Sequence, residues 1–307
     1  MRNKIKVISV IIFISWAYLS NITFSEEKRG KLRLSIKLTG GWGYTLIGDI
    51  NTHLESLNNI ETFESATGEI TKLKNWSPDW EAELRLNISR SFGISLATSG
   101  VINQKNESHL VTTGPGIWGG WTGIFIFKPE AKARMPVKLG MYYNFPIISR
   151  INVFSTAGIG YYSASISNYR KFHEIVSPPL ESYWMWEYWK TDYKANLGFH
   201  GGIGLEYSLT KNIALVLEVQ GRYVKIKNLK GFIQSEDSHS IGRISKRTGY
   251  LWSYKISAWD FGSYYNLDIR EEPPSGFIPE ISISEVRKAT IDLSGYSMRI
   301  GLRIRLF

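Results

Sequence analysis

The residues in this sequence that could bind a solute or take part in catalysis are acidic and basic residues that alternate with apolar ones. Glu81, Glu83 and Arg85 occupy every second position of one segment, and Arg299 and Arg303 repeat the pattern near the end of the chain. On a strand, this spacing places the charges on one face. There they could pair with one another, line a solute path or supply an acid–base couple. The full set of polar candidates is Arg33, Lys37, Glu81, Glu83, Arg85, Lys138, His200, Glu206, Glu218, Gln220, Arg222, Arg299 and Arg303.

Motifs for catalysis or metal binding are weak by comparison. His200 lies in a segment with strand periodicity, but its neighbours Gly201 and Gly202 supply neither a nucleophile nor an acid. The segment 49–53 superficially suggests a cation-binding loop, yet it lacks the other acidic ligands of a calcium site, so an ordinary loop is expected. The chain has no Cys, which excludes thiol catalysis, disulfides and Cys-ligated metals. We therefore expect no catalytic residue, no cofactor and no bound metal.

The N-terminus has the features of an export signal. Arg2, Lys4 and Lys6 precede an apolar run over 7–19, and small residues then precede a charged stretch. A transmembrane helix requires roughly twenty apolar residues, so a cleaved signal is favoured over a membrane anchor. We predict a signal peptide over 1–25 and one mature domain over 26–307. An exported domain is not expected to bind nucleic acid, despite a formal net charge of +10.

Alternation of apolar and polar residues recurs along the mature chain and predicts an all-β fold. One face of each segment is rich in Leu and Ile, while the other mixes charge with glycine, which suits a small closed lumen. A soluble sandwich would show the same period, and it stands as the alternative. The eight predicted strands lie at about 32–39, 80–89, 92–102, 133–145, 151–166, 196–208, 213–223 and 298–306.

The connections between these strands alternate between short and long. The short ones lie at 89–91, 145–150 and 209–212, and the long ones at about 45–78, 103–132, 167–193 and 227–288. Outer-membrane barrels have short periplasmic turns, long external loops and an even number of strands. The pattern predicts an eight-stranded antiparallel up-and-down transmembrane β-barrel with long extracellular loops. A hairpin at about 250–268 would make ten strands if it entered the membrane.

Aromatic residues fall where the two interfaces of such a barrel are expected. The predicted outer belt comprises Trp42, Tyr44, Trp80, Tyr161, Tyr162 and Tyr223, and the inner belt comprises Phe92, Phe145, Tyr207 and Phe307.

The C-terminus resembles the β-signal of outer-membrane proteins. This signal has a polar residue, a glycine, two hydrophobic residues and a final aromatic residue. The corresponding positions are occupied here by Arg299, Gly301, Ile304, Leu306 and Phe307. The final Phe is one step out of phase with the commonest porin pattern. The chain is similar to the small outer-membrane β-barrels of the OmpA, OmpX and OmpW kind. The resemblance implies recognition by the barrel-assembly machinery, and because it is architectural it implies no particular activity.

The long connections hold most of the tryptophans, with a dense cluster at Trp184, Trp186, Tyr188 and Trp189. Exposed aromatics on this scale indicate a binding surface, or mutual packing of strands that continue above the membrane. Basic residues near the predicted outer rim are suited to lipopolysaccharide phosphates. They are Lys72, Lys74, Arg170, Lys171, Lys225, Lys227 and Lys230.

Three functions follow as hypotheses. The first is a non-enzymatic structural or surface-binding protein in the outer membrane of a double-membraned bacterium. The second is a narrow channel for small or hydrophobic solutes. The third, a lipid-modifying barrel enzyme, lacks the His-x-Ser pair that a lipid A deacylase needs. The expected partners are outer-membrane lipid, lipopolysaccharide, the assembly machinery and a surface ligand bound through the loops.

Overall fold

The computed structural model describes residues 33–58, 66–100, 103–116, 119–176, 182–239, 242–258, 262–275, 277–278 and 281–306. The predicted signal peptide and Phe307 lie outside these residues. The strands are β1 (Arg33–Gly48), β2 (Thr67–Gly68), β3 (Trp76–Asn87), β4 (Phe92–Ser99), β5 (Asn103–Lys105), β6 (Ser108–Gly116), β7 (Gly119–Ile148), β8 (Ile151–Val176), β9 (Tyr183–Thr191), β10 (Lys194–Ser208), β11 (Ile213–Tyr223), β12 (Lys225–Ile226), β13 (Lys230–Asp237), β14 (Ser245–Ala258), β15 (Gly262–Arg270), β16 (Phe277–Ile278), β17 (Ile281–Lys288) and β18 (Ile291–Arg305), and helix α1 is Asp49–Leu57.

Eight of these strands close into a ring, as the sequence predicts. Antiparallel pairing runs from β1 through β3, β4, β7, β8, β10, β11 and β18, and β18 pairs again with β1. Closure satisfies the backbone hydrogen bonds of every strand in the ring, which is the requirement for crossing a membrane with strands. The hairpin formed by β14 and β15 pairs with β13 and β17 outside the ring. Within the described residues, this hairpin therefore takes no part in the ring.

The exterior of the ring is apolar and its interior is charged. Leu139 is 55% exposed on the outside, whereas its neighbour Lys138 is only 3% exposed on the inside. The same contrast separates Ile300 from Arg299. Successive side chains of a strand point to opposite faces. The alternating apolar and polar residues of the sequence therefore lie on the exterior and the interior of the ring, respectively. A soluble sandwich would instead bury the apolar set between its sheets.

The two ends of the ring differ in their connections. Tight turns at 88–91, 149–150 and 209–212 close one end, and hydroxyl groups stabilise two of them. The hydroxyl oxygen of Ser89 accepts from the amide of Phe92, and that of Thr210 accepts from the amide of Ile213, each at 3.0 Å. At the same end, the amide of Leu306 donates to the carbonyl of Leu34. All the long connections therefore lie at the opposite end.

The long connections fold into a second layer above the ring, which we call the crown. It comprises helix α1, the short strands β2, β5 and β6, the upper parts of β7 and β8, and the whole of β9 and of β12 to β17. The crown has an apolar core of its own, in which Ile50 and Leu54 of α1 join Leu73, Leu251 and Ile269. The protein thus has two interiors, an ionic one inside the ring and an apolar one above it.

The exterior of β7 marks the boundary between these layers. Its pairing with β8 shifts register between Arg134 and Val137. Below the shift, Val137, Leu139 and Met141 are exposed, and above it the same face carries Lys128, Glu130 and Lys132. A β-bulge bends and twists its strand locally. The apolar band on the exterior of β7 therefore ends at this bulge.

Helix α1 corrects the expectation of an ordinary loop at 49–53. It begins after Gly48, whose φ of +91° places the backbone in the left-handed region and turns the chain out of β1. Both oxygens of Asp49 are bound by the guanidinium of Arg287, at 2.6 and 2.7 Å, and the amide of Thr290 adds a third bond at 2.8 Å. These bonds hold the start of α1 against the segment that enters β18.

Within the described residues, no helix is both long enough and apolar enough to traverse a membrane.

Candidate functional site

The interior of the ring contains a continuous network of buried ion pairs. Lys37 lies at its centre, with its ammonium nitrogen 3.1 Å from Glu81 and 2.5 Å from both Glu83 and Glu218. These residues come from β1, β3 and β11, which are brought together because the ring is narrow. Three carboxylates around one ammonium leave two negative charges for other cations to balance.

Those cations come from the remaining walls of the ring. Arg299 of β18 contacts Glu81 at 3.1 Å and Glu218 at 2.5 Å, and Lys138 of β7 contacts Glu81 at 2.5 Å. Asp79 lies 3.5 Å from Arg299 at the upper edge of the network. Sequence reasoning missed Asp79, although it stands two residues before Glu81 and therefore shares its face.

A second group lies nearer the turn end of the ring. Glu206 of β10 accepts from Arg85 at 2.8 Å and is 2.6 Å from Arg303, and all three side chains are buried. The guanidinium of Arg85 also lies 4.5 Å from the ring centre of Phe154 and 4.9 Å from that of Tyr142. Both aromatic rings are inward-facing and were not predicted. They fill the lumen where the charges leave space.

The buried positive and negative charges of this interior are equal in number. The buried pairs join five cations (Lys37, Arg85, Lys138, Arg299 and Arg303) to five carboxylates (Asp79, Glu81, Glu83, Glu206 and Glu218). A buried charge is tolerated when it is paired and destabilises strongly when its partner is removed. The network therefore connects six of the eight strands of the ring.

The other predicted luminal residues have different positions. Gln220 accepts from Lys138 at 3.3 Å. Arg222 donates to the carbonyl of Leu293 at 2.7 Å and also to the hydroxyl of Thr45, at the junction with the crown. Arg33 is exposed at the start of β1.

His200 of β10 lies inside the ring. It is 9% exposed and lies beside Gly140 and Gly158, where any added side chain would collide with or crowd its ring. Its Nδ1 atom forms no hydrogen bond within the described chain. Small residues opposite His200 make room for the imidazole in a crowded lumen, which is a packing role.

The aromatic cluster in the crown adopts the extended form that alternation indicates. Trp184, Trp186, Tyr188 and Trp189 lie on β9, between β8 and β13. Trp189 faces the crown core and is 1% exposed, whereas Trp186 faces outward and donates to Glu236 at 3.1 Å. The cluster is therefore divided between the two faces of a sheet, and each half has its own role.

Two predicted surface residues turn out to face inward. Arg170, expected at the outer rim, pairs with the buried Glu187 at 2.8 Å on the inner face of the crown. Tyr162, expected in the outer aromatic belt, is buried. Each is adjacent in sequence to an exposed residue, Lys171 and Tyr161 respectively. Because side chains alternate between the two faces of a strand, adjacent residues cannot both face outward.

Three residues of the proposed assembly signal, Arg299, Gly301 and Ile304, lie in β18, and Phe307 lies outside the described residues. Arg299 joins the luminal network, Gly301 lies against the backbone of Leu38, and Ile304 and Leu306 are exposed on the apolar exterior. A Cβ atom at Gly301 would lie 1.9 Å from the carbonyl oxygen of Leu38. The spacing is thus consistent with close packing of β18 on β1.

The described ranges contain no group of three or more His, Asp or Glu side chains arranged to hold a metal ion.

A closed ring of strands with an apolar exterior and an ionic interior is the architecture of a bacterial outer-membrane β-barrel. The family model for the outer membrane protein beta-barrel domain matches residues 30–242, which is more than half of the chain. The protein belongs to this family, and the family places it in the outer membrane of Gram-negative bacteria.

Comparison with known proteins adds little beyond the family. No curated protein matches the chain. One solved structure with similarity is titled "Structure of the RagAB peptide importer in the 'closed-closed' state". It shares 8% identity at a TM-score of 0.16, and the match covers 80% of this chain and 41% of the other. The chain thus spans less than half the length of that protein, and a likeness this distant carries no argument about function.

Proposed function

We propose that the protein is a non-enzymatic membrane anchor that holds a folded crown at the outer surface of the bacterium for binding. The observation that carries this proposal is the closed interior of the barrel. Arg85 and Glu206 are both fully buried, and Lys37 and Arg299 are each 1% exposed. Charges that lined a water-filled channel would be accessible to solvent.

The crown supports the same function from above. Its helix α1 and its apolar core lie over the end of the ring that carries the long connections. Long connections face the exterior in bacterial outer-membrane barrels. An ordered domain with its own core has a defined surface, which a set of mobile loops lacks, and a defined surface is what selective binding requires.

Conductance in planar bilayers tests this proposal against the narrow channel. We expect the wild-type protein to insert without channel openings. As a matched comparison, the triple substitution of Arg85, Phe154 and Glu206 by Ser removes lumen-filling groups without changing net charge and should produce openings. Folding of both proteins is checked by their altered gel mobility before boiling. Wild-type openings of similar size would refute the closed barrel.

The lipid-modifying alternative has a separate test. His200→Ala should leave the lipid A profile of the cells unchanged, because the imidazole lies inside the barrel. A changed profile with normal folding would instead establish a catalytic role.

The remaining partners are proposed on architectural grounds. The apolar exterior is suited to outer-membrane lipid, and outward basic residues such as Lys72 and Lys225 are suited to lipopolysaccharide. Recognition by the assembly machinery is tested by Phe307→Ala, which should lower the yield of folded barrel in cells.

A further inference from the structure

The outward face of the crown sheet carries aromatic rings and lysines in a regular arrangement. Tyr188 of β9 lies opposite Gln234 of β13, which lies opposite Lys246 of β14. In the adjacent rows, Lys190 lies opposite Phe232, and Lys230 lies opposite Tyr250. Directly opposed residues of antiparallel strands share a face. We call Tyr188, Lys190, Lys230, Phe232, Lys246 and Tyr250 the aromatic–lysine face.

The alternate residues of the same strands establish that this face points outward. Trp189, Ile233 and Leu251 are each no more than 3% exposed and belong to the core of the crown. The aromatic–lysine face is on the other side of the sheet, where Lys190, Lys230 and Lys246 are exposed. Half-exposed rings between exposed ammonium groups are therefore available to a ligand.

Lys230 and Lys246 of this face, and the neighbouring Lys288, lie over aromatic rings rather than beside carboxylates. The ammonium of Lys230 lies 5.0 Å from the ring centre of Tyr250, and that of the neighbouring Lys288 lies 3.8 Å from it. The ammonium of Lys246 lies 5.5 Å from the ring centre of Phe232. Across the described chain, none of these three lysines has an ion-pair partner. A cation over a ring face is oriented but not neutralised.

An open cleft beside Lys246 extends the positive surface. Arg247, Arg270 and Glu271 line it, and the two guanidinium groups share the carboxylate of Asp268, at 2.8 and 2.5 Å. With Lys246, three cations therefore face the two carboxylates of Asp268 and Glu271. This arrangement is the opposite of the barrel interior, where cations and carboxylates are matched one for one.

The position of the face above the lipid band indicates the kind of anion it meets. Tyr169, which lies opposite Tyr188, is also opposite Lys128 of β7. Lys128 is seven residues above Met135, the upper end of the apolar exterior of β7. This separation is about 23 Å along the strand, or about 16 to 19 Å along the membrane normal for a strand tilt of about 35–45°. The headgroup layer of a bilayer adds only about 5 to 8 Å to the hydrocarbon. The face therefore lies beyond the lipid phosphates.

We propose that the aromatic–lysine face binds an acidic polysaccharide outside the cell. The ammonium groups would pair with its carboxylates, and the rings would lie against the apolar faces of its sugars. A repeating anionic chain matches a surface whose charges recur from strand to strand, and rings provide contact area at small entropic cost. This inference rests on the proposed surface-binding function and assigns it a class of ligand.

The test uses the full-length protein in detergent and polygalacturonate as the probe, with neutral dextran of similar size as the reference. We expect binding to polygalacturonate that weakens as salt rises, and no binding to dextran. Replacement of Lys230, Lys246 and Lys288 by Gln should reduce affinity at least tenfold. Replacement of Lys74, Lys105 and Lys211, which lie elsewhere, should change it less than twofold. Tyr250→Leu, at unchanged charge, should reduce it several-fold.

Equal losses in the two triple variants, or no binding by the wild-type protein, would overturn the inference. A Tyr250→Leu protein that bound normally would also count against it, since simple charge attraction would then suffice. The altered gel mobility of each unboiled variant shows that it is folded. The proposed function fails separately, through channel openings by the wild-type protein, so the two outcomes are distinguishable.

Discussion

The Nδ1 atom of His53 in α1 lies 2.6 Å from the carbonyl oxygen of Tyr265 in β15. Ser56, one turn further along α1, accepts from the amide of Tyr265 at 2.8 Å. Two side chains of the helix thus form hydrogen bonds with the amide and the carbonyl of Tyr265. These are the bonds that a neighbouring strand would otherwise make. Covering an edge in this way prevents unwanted strand pairing.

The His53 contact predicts a loss of crown stability in acid. Burial lowers the pKa of His53 from 6.5 to about 4, so the folded protein holds a neutral imidazole where the unfolded chain takes up a proton. The stabilisation is present above pH 6.5 and is lost as the pH falls towards 4. We expect the free energy of unfolding of the crown to be about 2 kcal/mol lower at pH 5 than at pH 7.5. Denaturant titration followed by near-ultraviolet circular dichroism measures it.

Two variants serve as controls for this effect. His53→Gln should flatten the pH dependence, because an amide can replace the hydrogen bond without taking up a proton. His109→Gln, at an exposed position, should leave it unchanged. An unaltered acid response in His53→Gln would assign the effect to other groups.

The turn from β1 into α1 predicts a strong effect of a single methyl group. Gly48→Ala would place a Cβ atom 2.5 Å from the carbonyl of Thr290, on a backbone with φ of +91°. We expect a loss of about 1 to 3 kcal/mol in the stability of the crown. Gly40→Ala in the same strand meets nothing within 4 Å and should be nearly neutral. Similar stability of the two variants in thermal unfolding would contradict the strained turn.

The luminal network predicts that one carboxylate is indispensable. Glu206→Gln leaves the buried Arg85 and Arg303 without their shared anion, and we expect a loss of about 3 to 5 kcal/mol. Glu55→Gln removes an exposed pair with Lys72 at 3.5 Å and should cost less than about 1 kcal/mol. Urea titration with gel mobility as the readout compares the two. Equal midpoints would show that the network does not hold the barrel together.

The end of the apolar exterior on β7 predicts that the cost of an added charge depends on where along the strand it is placed. Leu139→Arg places a charge on the lipid-facing exterior and should destabilise the folded barrel by about 2 to 4 kcal/mol. Glu130→Arg, on the same exterior face above the bulge, should cost less than about 1 kcal/mol. Folding yield into lipid vesicles measures both. Comparable yields would place the upper edge of the lipid band below Leu139.

The sequence alone determined the barrel because its signal is local. Alternation assigns each residue to lipid or lumen without reference to any other strand, and Glu81, Glu206 and Arg299 were placed inside on this basis. The short and long connections then set the order of the strands, since neighbours along the chain become neighbours in the ring.

Only the tertiary structure decided how the long connections are used. Strand β9 carries aromatic residues on both of its faces, so its pattern could not decide whether Trp186 or Trp189 would be buried. The pairing of His53 with Tyr265 joins residues more than two hundred positions apart, and α1 is stabilised by an apolar core collected from many segments. Residue periodicity describes which face a side chain takes on one element, whereas a core depends on which elements meet, and that is fixed by packing.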